Sequence, residues 1–159
     1  MKKQKGFSLI ELLIVVAIIL IIAAIAIPNL MRSRMAANES SAVGSIRTIN
    51  TAMVTYSTTY PAVGFAANLA TLGGTAAACT GGATSSSACL VDNILATGTK
   101  SGYKFTAVGA GGTPAVTYTS LALPQVPGQS GQRAFCSDQS GVIYNDQSGT
   151  ACTNASAPL

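Results

Sequence analysis

The chain has 159 residues with nine lysines and arginines, five acids and no histidine, for a formal net charge of +4. Lacking histidine, it has no His-based triad, imidazole ligand or His general base, and five acids leave little for carboxylate chemistry. Three of the basic residues are Lys2, Lys3 and Lys5, and beyond residue 6 six bases face five acids. The charge therefore belongs to the N-terminus, and no basic stripe marks a nucleic-acid surface.

From Phe7 to Ile27 run 21 residues of which only Ser8 and Glu11 are polar. At ~1.5 Å per residue a helix of that length crosses a bilayer core of about 30 Å, and the lysines before it keep the N-terminus cytoplasmic. An ordinary secretory signal would place a small-x-small cleavage signal at Ala24-Ile25-Ala26. The apolar core is longer than such signals use, Glu11 sits near its start, and Pro28 follows close behind the cut. A plain membrane anchor accounts for the length but not for Gly6 or Glu11. A carboxylate in hydrocarbon is costly and calls for a partner or a shallow position.

The stretch KGFSLIELLIVVAIILIIAAIAIP resembles the leader and N-terminal segment of the type IV pilins, the family that includes pseudopilins of type II secretion. The match is strong over about the first thirty residues. The resemblance implies cleavage between Gly6 and Phe7 by a prepilin peptidase that also N-methylates Phe7. It places the family's assembly acid on Glu11 and its mid-helix proline on Pro28. It further implies an α+β fold, a long N-terminal helix packed on a small antiparallel sheet, in a structural subunit without enzymatic activity or cofactor. The implied life cycle is a single-pass inner-membrane precursor that joins a surface filament for adhesion, twitching motility or DNA uptake. The implied partners are copies of itself, minor pilins, an inner-membrane platform with a cytoplasmic ATPase and, in a Gram-negative cell, an outer-membrane secretin. A major pilus subunit is the preferred reading; a major pseudopilin and a minor pilin are the alternatives.

In that frame residues 1–6 form the leader, 7–30 the membrane and filament-core half of the helix, and 31–60 its amphipathic half. Ala42, Ile46, Ile49, Met53, Tyr56 and Tyr60 recur at steps of four and three, one stripe of an α-helix. Arg32, Arg34, Glu39 and Arg47 are read as its wetter part. A single helix from Phe7 to Tyr60 is expected, with Pro28 and Gly44 as the places to bend and Pro61 as the stop. In the type IVa filaments it resembles, the chain loosens around the matching proline.

Residues 61–101 read as an irregular connecting loop with one short helix over about 90–96. Residues 102–159 should hold the sheet and a disulfide-bonded tail. The expected strands are Gly102–Val108, Ala115–Leu123, and Arg133–Phe135 joined to Val142–Tyr144 through SDQSG. Four cysteines allow three pairings. Cys79–Cys89 and Cys136–Cys152 are preferred, since each closes a local loop short of other constraints. The family's C-terminal staple would correspond to Cys136–Cys152, and a second local pair departs from the simplest family pattern. A tetrathiolate zinc site would need paired short C-x₂₋₄-C turns that are absent here. Asp92, Asp138 and Asp146 are scattered; calcium and turn chemistry both account for the last two, and no metal is assigned.

Overall fold

A computed structural model describes residues 7–159, so the leader and Gly6 lie outside the described residues. The chain divides into two compact units after Arg34. Helix α1 spans Leu9–Thr59 and is helical through Pro28 and Gly44; neither breaks it. In the first unit α1 has no buried residue, and large apolar side chains from Leu9 to Met31 are exposed.

In the second unit α1 is amphipathic. Ala42, Ile46, Ile49 and Met53 are wholly buried, Tyr56 nearly so, and Tyr60 packs partly buried against them. This is the expected stripe, now the spine of the core. Beyond α1 come three short helices, α2 (Leu69–Leu72), α3 (Ala76–Thr80) and α4 (Asn93–Ala96). The loop thus carries more structure than its glycine pairs suggested. The expected helix over 90–96 begins later because Asp92 is its N-cap, accepting from the Leu95 N–H at 2.7 Å. Before it, Ala88, Cys89 and Leu90 donate backbone bonds to Thr71, Gly73 and Leu72. They run beside α2, with Cys89 at a positive φ of 56°.

Six strands follow: β1 (Thr99–Lys100), β2 (Tyr103–Ala110), β3 (Thr117–Pro124), β4 (Ala134–Asp138), β5 (Ile143–Asp146) and β6 (Ala157–Pro158). They form one antiparallel meander in chain order. β2 alternates buried and exposed from Tyr103 to Val108, turning Tyr103, Phe105 and Ala107 to the core, and β3 answers with Tyr118, Ser120 and Ala122. The two main strands begin and end one or two residues later than expected, in register Tyr103↔Pro124 to Ala110↔Thr117. Two-residue strands such as β1 and β6 carry no alternation to detect.

The β4–β5 hairpin exists, shifted toward Asp138 and Asp146, with Ala134 opposite Asp146 and Ser137 opposite Ile143. Asp-Gln-Ser-Gly occurs twice, at 138–141 and 146–149. Each time the Asp Oδ1 accepts from the Ser N–H two residues on, at 2.9 and 2.8 Å. Each time the glycine takes positive φ, 75° at Gly141 and 69° at Gly149. The same four residues thus build the same turn at both ends of β5, which accounts for both aspartates without a metal.

Candidate functional site

The first unit offers a bare apolar helix with one acid. Phe7 is 84% exposed, and the segment is long and apolar enough to cross a membrane. Helical bonding starts with the Leu12 N–H donating to the Ser8 carbonyl at 3.2 Å. Glu11 reaches back, its Oε2 accepting the Ser8 N–H at 3.0 Å. Ser8-x-x-Glu11 is therefore half of a capping box, an N-terminal helix start written in the sequence but hidden by the apolar run. Among the described residues the second oxygen has no hydrogen-bond partner, and the carboxylate lies at the end of the helix where negative charge is favoured.

In the second unit Glu39 departs from the sequence reading. It is 9% exposed and belongs to the core side, not the wet one. Its Oε1 accepts the N–H groups of Gln132 and Arg133 at 2.8 and 3.1 Å, and its Oε2 takes the Arg133 guanidinium at 2.9 Å. Burial pulls the Glu39 pKa upward, but those backbone donors and the Arg133 charge outweigh it and hold the value below the ordinary one. The signal was available: Glu39 lies three residues before Ala42, at the next position of the buried stripe. Its partner, 94 positions away in sequence, was not.

Other polar groups fasten helix to sheet. Asn50 donates to the Ser137 hydroxyl at 2.8 Å, and the Ser120 hydroxyl donates to Asn50 Oδ1 at 3.3 Å. The Tyr103 hydroxyl donates to the Arg133 carbonyl at 2.8 Å, and burial followed by the Glu39 charge raises its pKa. Burial, with the Asp138 charge behind it, pushes Tyr118 up to about 12. Both phenols remain neutral at physiological pH. Among the described residues no buried side-chain nitrogen or oxygen lacks a partner.

Two disulfides close the loops, Cys79–Cys89 on the segment around α3 and Cys136–Cys152 between β4 and the C-terminal tail. Among the described residues, no group of three or more Cys, Asp or Glu side chains could hold a metal.

Residues 1–27 match the prokaryotic N-terminal methylation motif. The type IV wide pilus major component of Thermus thermophilus is 60% identical over 40 residues, 25% of this chain and 30% of that protein. The type IV major pilin of Myxococcus xanthus is 44% identical over 54 residues, 34% of this chain and 24% of its own. The type II secretion system core protein G of Escherichia coli is 37% identical over 54 residues, 34% of this chain and 37% of its own. The chain therefore aligns with well under half the length of these curated relatives. No solved structure gives a significant match.

The long N-terminal helix and small antiparallel sheet are the α+β architecture of a type IV pilin. Over its N-terminal third the chain is similar to type IV pilins, to a type II secretion core protein and to fimbrial proteins.

Proposed function

We propose that the chain is the major subunit of a type IV pilus. The observation that carries this reading is the apolar helix of the first unit, whose large side chains are exposed among the described residues. A membrane covers them before assembly, and the helices of other copies cover them afterwards. A prepilin peptidase cuts between Gly6 and Phe7 and methylates Phe7, leaving a cationic amine beside an apolar bundle. The carboxylate of a neighbour's Glu11 takes that amine, where low dielectric strengthens the pair. Pro28, whose ring provides no N–H for the Ala24 carbonyl, is where α1 loosens during packing.

On this reading the domain limits are 1–6, 7–30, 31–60, 61–101 and 102–159: leader, filament core, amphipathic helix, connecting loop and disulfide-bonded sheet. The filament leaves the inner membrane through a platform driven by a cytoplasmic ATPase, with minor pilins at its start and a secretin in a Gram-negative outer membrane. It serves adhesion, motility or DNA uptake at the cell surface. The match to core protein G favours a second reading, a major pseudopilin of type II secretion.

Intact mass and N-terminal sequencing test maturation: the mature chain should start at methylated Phe7, without residues 1–6. A start at Ile27 would mean an ordinary signal peptide. Glu11→Gln tests docking, since it keeps the shape and removes the charge. In a retraction-deficient strain, processed monomer should accumulate in the membrane while sheared filaments become rare; wild-type filament yield would end the pairing role. Deleting the gene should abolish surface filaments if the chain is a pilin, and protein secretion if it is a pseudopilin.

A further inference from the structure

The two disulfides have different surroundings. Cys136 sits within β4 at 6% exposure, whereas Cys79 is exposed and Cys89 half-buried. Residues 77–86 are exposed throughout. Helix α3, which carries Cys79, is held by local bonds. The Cys79 N–H donates to the Thr75 carbonyl at 3.0 Å, and the Thr80 hydroxyl to the Ala77 carbonyl at 2.7 Å. Among the described residues α3 makes no hydrogen bond to α1, α2, α4 or the sheet. Cys89 is fixed instead, its N–H donating to the Gly73 carbonyl at 2.8 Å between the bonds of Ala88 and Leu90 to α2. Cys79–Cys89 therefore ties a loose arm to a held one.

On one side the bond rests on Gly74, where a Cβ would meet Cys79 Sγ at 3.0 Å and Cys89 Sγ at 3.3 Å. Attack by a thiolate needs access to one sulfur and a partner sulfur able to leave with the charge. Access selects Cys79. Ser87 Oγ lies 4.0 Å from Cys89 Sγ and donates to the Gly73 carbonyl at a long 3.3 Å. It can turn that proton to a departing Cys89 thiolate, which selects Cys89 as the sulfur that leaves.

We propose that Cys79–Cys89 is a site of thiol–disulfide exchange with an external dithiol, with Cys79 attacked and Cys89 leaving beside Ser87. A thiolate of the dithiol bonds to Cys79 Sγ, and the Cys79–Cys89 bond breaks with its electron pair on Cys89 Sγ. The second thiolate of the dithiol then attacks the first one's sulfur and releases Cys79. The dithiol is oxidised by two electrons to its own disulfide, and the chain gains those electrons and two protons. Exchange opens α3 locally. The tip of the loop keeps its paired Thr84–Ser87 backbone bonds, 3.0 and 3.1 Å, and the Ser85 carbonyl still accepts from the buried Tyr56 hydroxyl at 2.6 Å. The helix stripe and Cys136–Cys152 are untouched. This device belongs to the folded unit and does not depend on whether the chain polymerises.

The test is timed reduction of the full chain in detergent with dithiothreitol, followed by alkylation and peptide mapping. Cys79 and Cys89 should become labelled about tenfold or more faster than Cys136 and Cys152. At that stage the near-ultraviolet dichroism of the buried tyrosines should be unchanged, and hydrogen exchange should rise over residues 75–82. Glutathione, a monothiol, should leave its mixed disulfide on Cys79. Ser87→Ala, checked for native dichroism while oxidised, should open roughly two- to threefold more slowly. Equal rates at the two bonds would mean that reduction follows global unfolding, and would overturn the proposal. Earlier opening of Cys136–Cys152, glutathione on Cys89, or a wild-type rate in Ser87→Ala would overturn it as well. The glutathione mapping is done on the wild-type chain, so it decides even where the variant does not fold.

Discussion

Two stretches of one helix follow opposite rules. Up to Arg34, apolar residues surround α1, and none is buried in the chain. From Met35 they fall on one stripe, and that stripe is the core. A helix apolar all round needs a surrounding medium, whereas a striped one needs only a partner on one side. Burying a large aliphatic side chain contributes about 1.5–3 kcal/mol. The second unit collects that within its own chain, while on the proposed reading the first finds it in lipid or in other copies. On that reading, stability of the fold and competence for assembly are written in different parts of the same element.

The sharpest way to break this comparison is to make the same substitution in both stretches. Ile49→Ala opens a cavity beneath the sheet and should cost about 2–5 kcal/mol. Ile18→Ala, exposed in the chain, should leave unfolding within about 0.5 kcal/mol of wild type. Urea titration of the full chain in detergent, followed by near-ultraviolet dichroism of the buried tyrosines 56, 103 and 118, reports the second unit alone. Equal shifts would mean that the first unit contributes to the folded core after all.

Next in size is the tail. Cys152→Ser opens a loop with a sequence separation of 16, and such closures are worth roughly 2–4 kcal/mol. Residues 147–156 should come off the sheet and Cys136 should become alkylatable, with Cys79–Cys89 intact. Peptide mapping without reduction gives the answer directly. A Cys136 that stays protected would mean that packing, not the bond, holds the tail.

Glu39 comes third. Glu39→Gln should cost about 1–3 kcal/mol at neutral pH, with the Arg133 contribution discounted because that side chain is 35% exposed. The pH dependence has a definite sign. The folded pKa is lowered, so the contribution is full above the unfolded value of 4.5 and is lost as pH falls through the lower folded value. Wild type should therefore lose stability in acid faster than Glu39→Gln. Parallel acid limbs for the two proteins would show that the pair is not a source of the pH dependence.

Periodicity made the spine of this fold legible: Ala42 to Tyr56 were buried as a stripe, and the two eight-residue strands β2 and β3 alternated clearly enough to place. Local turn chemistry was legible as well. Asp92 could have been read as a cap, and the two Asp-Gln-Ser-Gly turns as repeats. Partners brought together only by folding stayed hidden. Nothing near Glu39 in sequence announces Gln132 and Arg133, and nothing near Asn50 announces Ser120 and Ser137. In the first unit the long apolar run concealed Ser8-x-x-Glu11, because hydrophobicity drew attention to the membrane and away from the helix start. The cavity beside the tail was invisible for a related reason: it arises where the tail crosses strands distant from it in sequence.

The smallest effect concerns Gly44. The sequence suggested a soft point, yet α1 is helical there, and a Cβ built on Gly44 meets nothing within 4 Å. The Thr48 hydroxyl donates to the Gly44 carbonyl at 3.1 Å, a bond that alanine would leave in place. A glycine inside a helix costs roughly 0.5–1 kcal/mol relative to alanine, through backbone entropy of the unfolded chain. Gly44→Ala should therefore stabilise the second unit by about that amount in the same urea titration. Destabilisation would mean that α1 needs the freedom of glycine there. The variant also extends the comparison between stability and assembly. Within one chain the site is open, so a methyl group is accommodated freely. If Gly44→Ala unfolds later but yields fewer sheared filaments, the space beside Gly44 is occupied by another subunit. The amphipathic stretch of α1 would then carry an assembly contact on its exposed side as well as the core on its buried one. Unchanged filament yield would confine assembly contacts on α1 to positions other than Gly44.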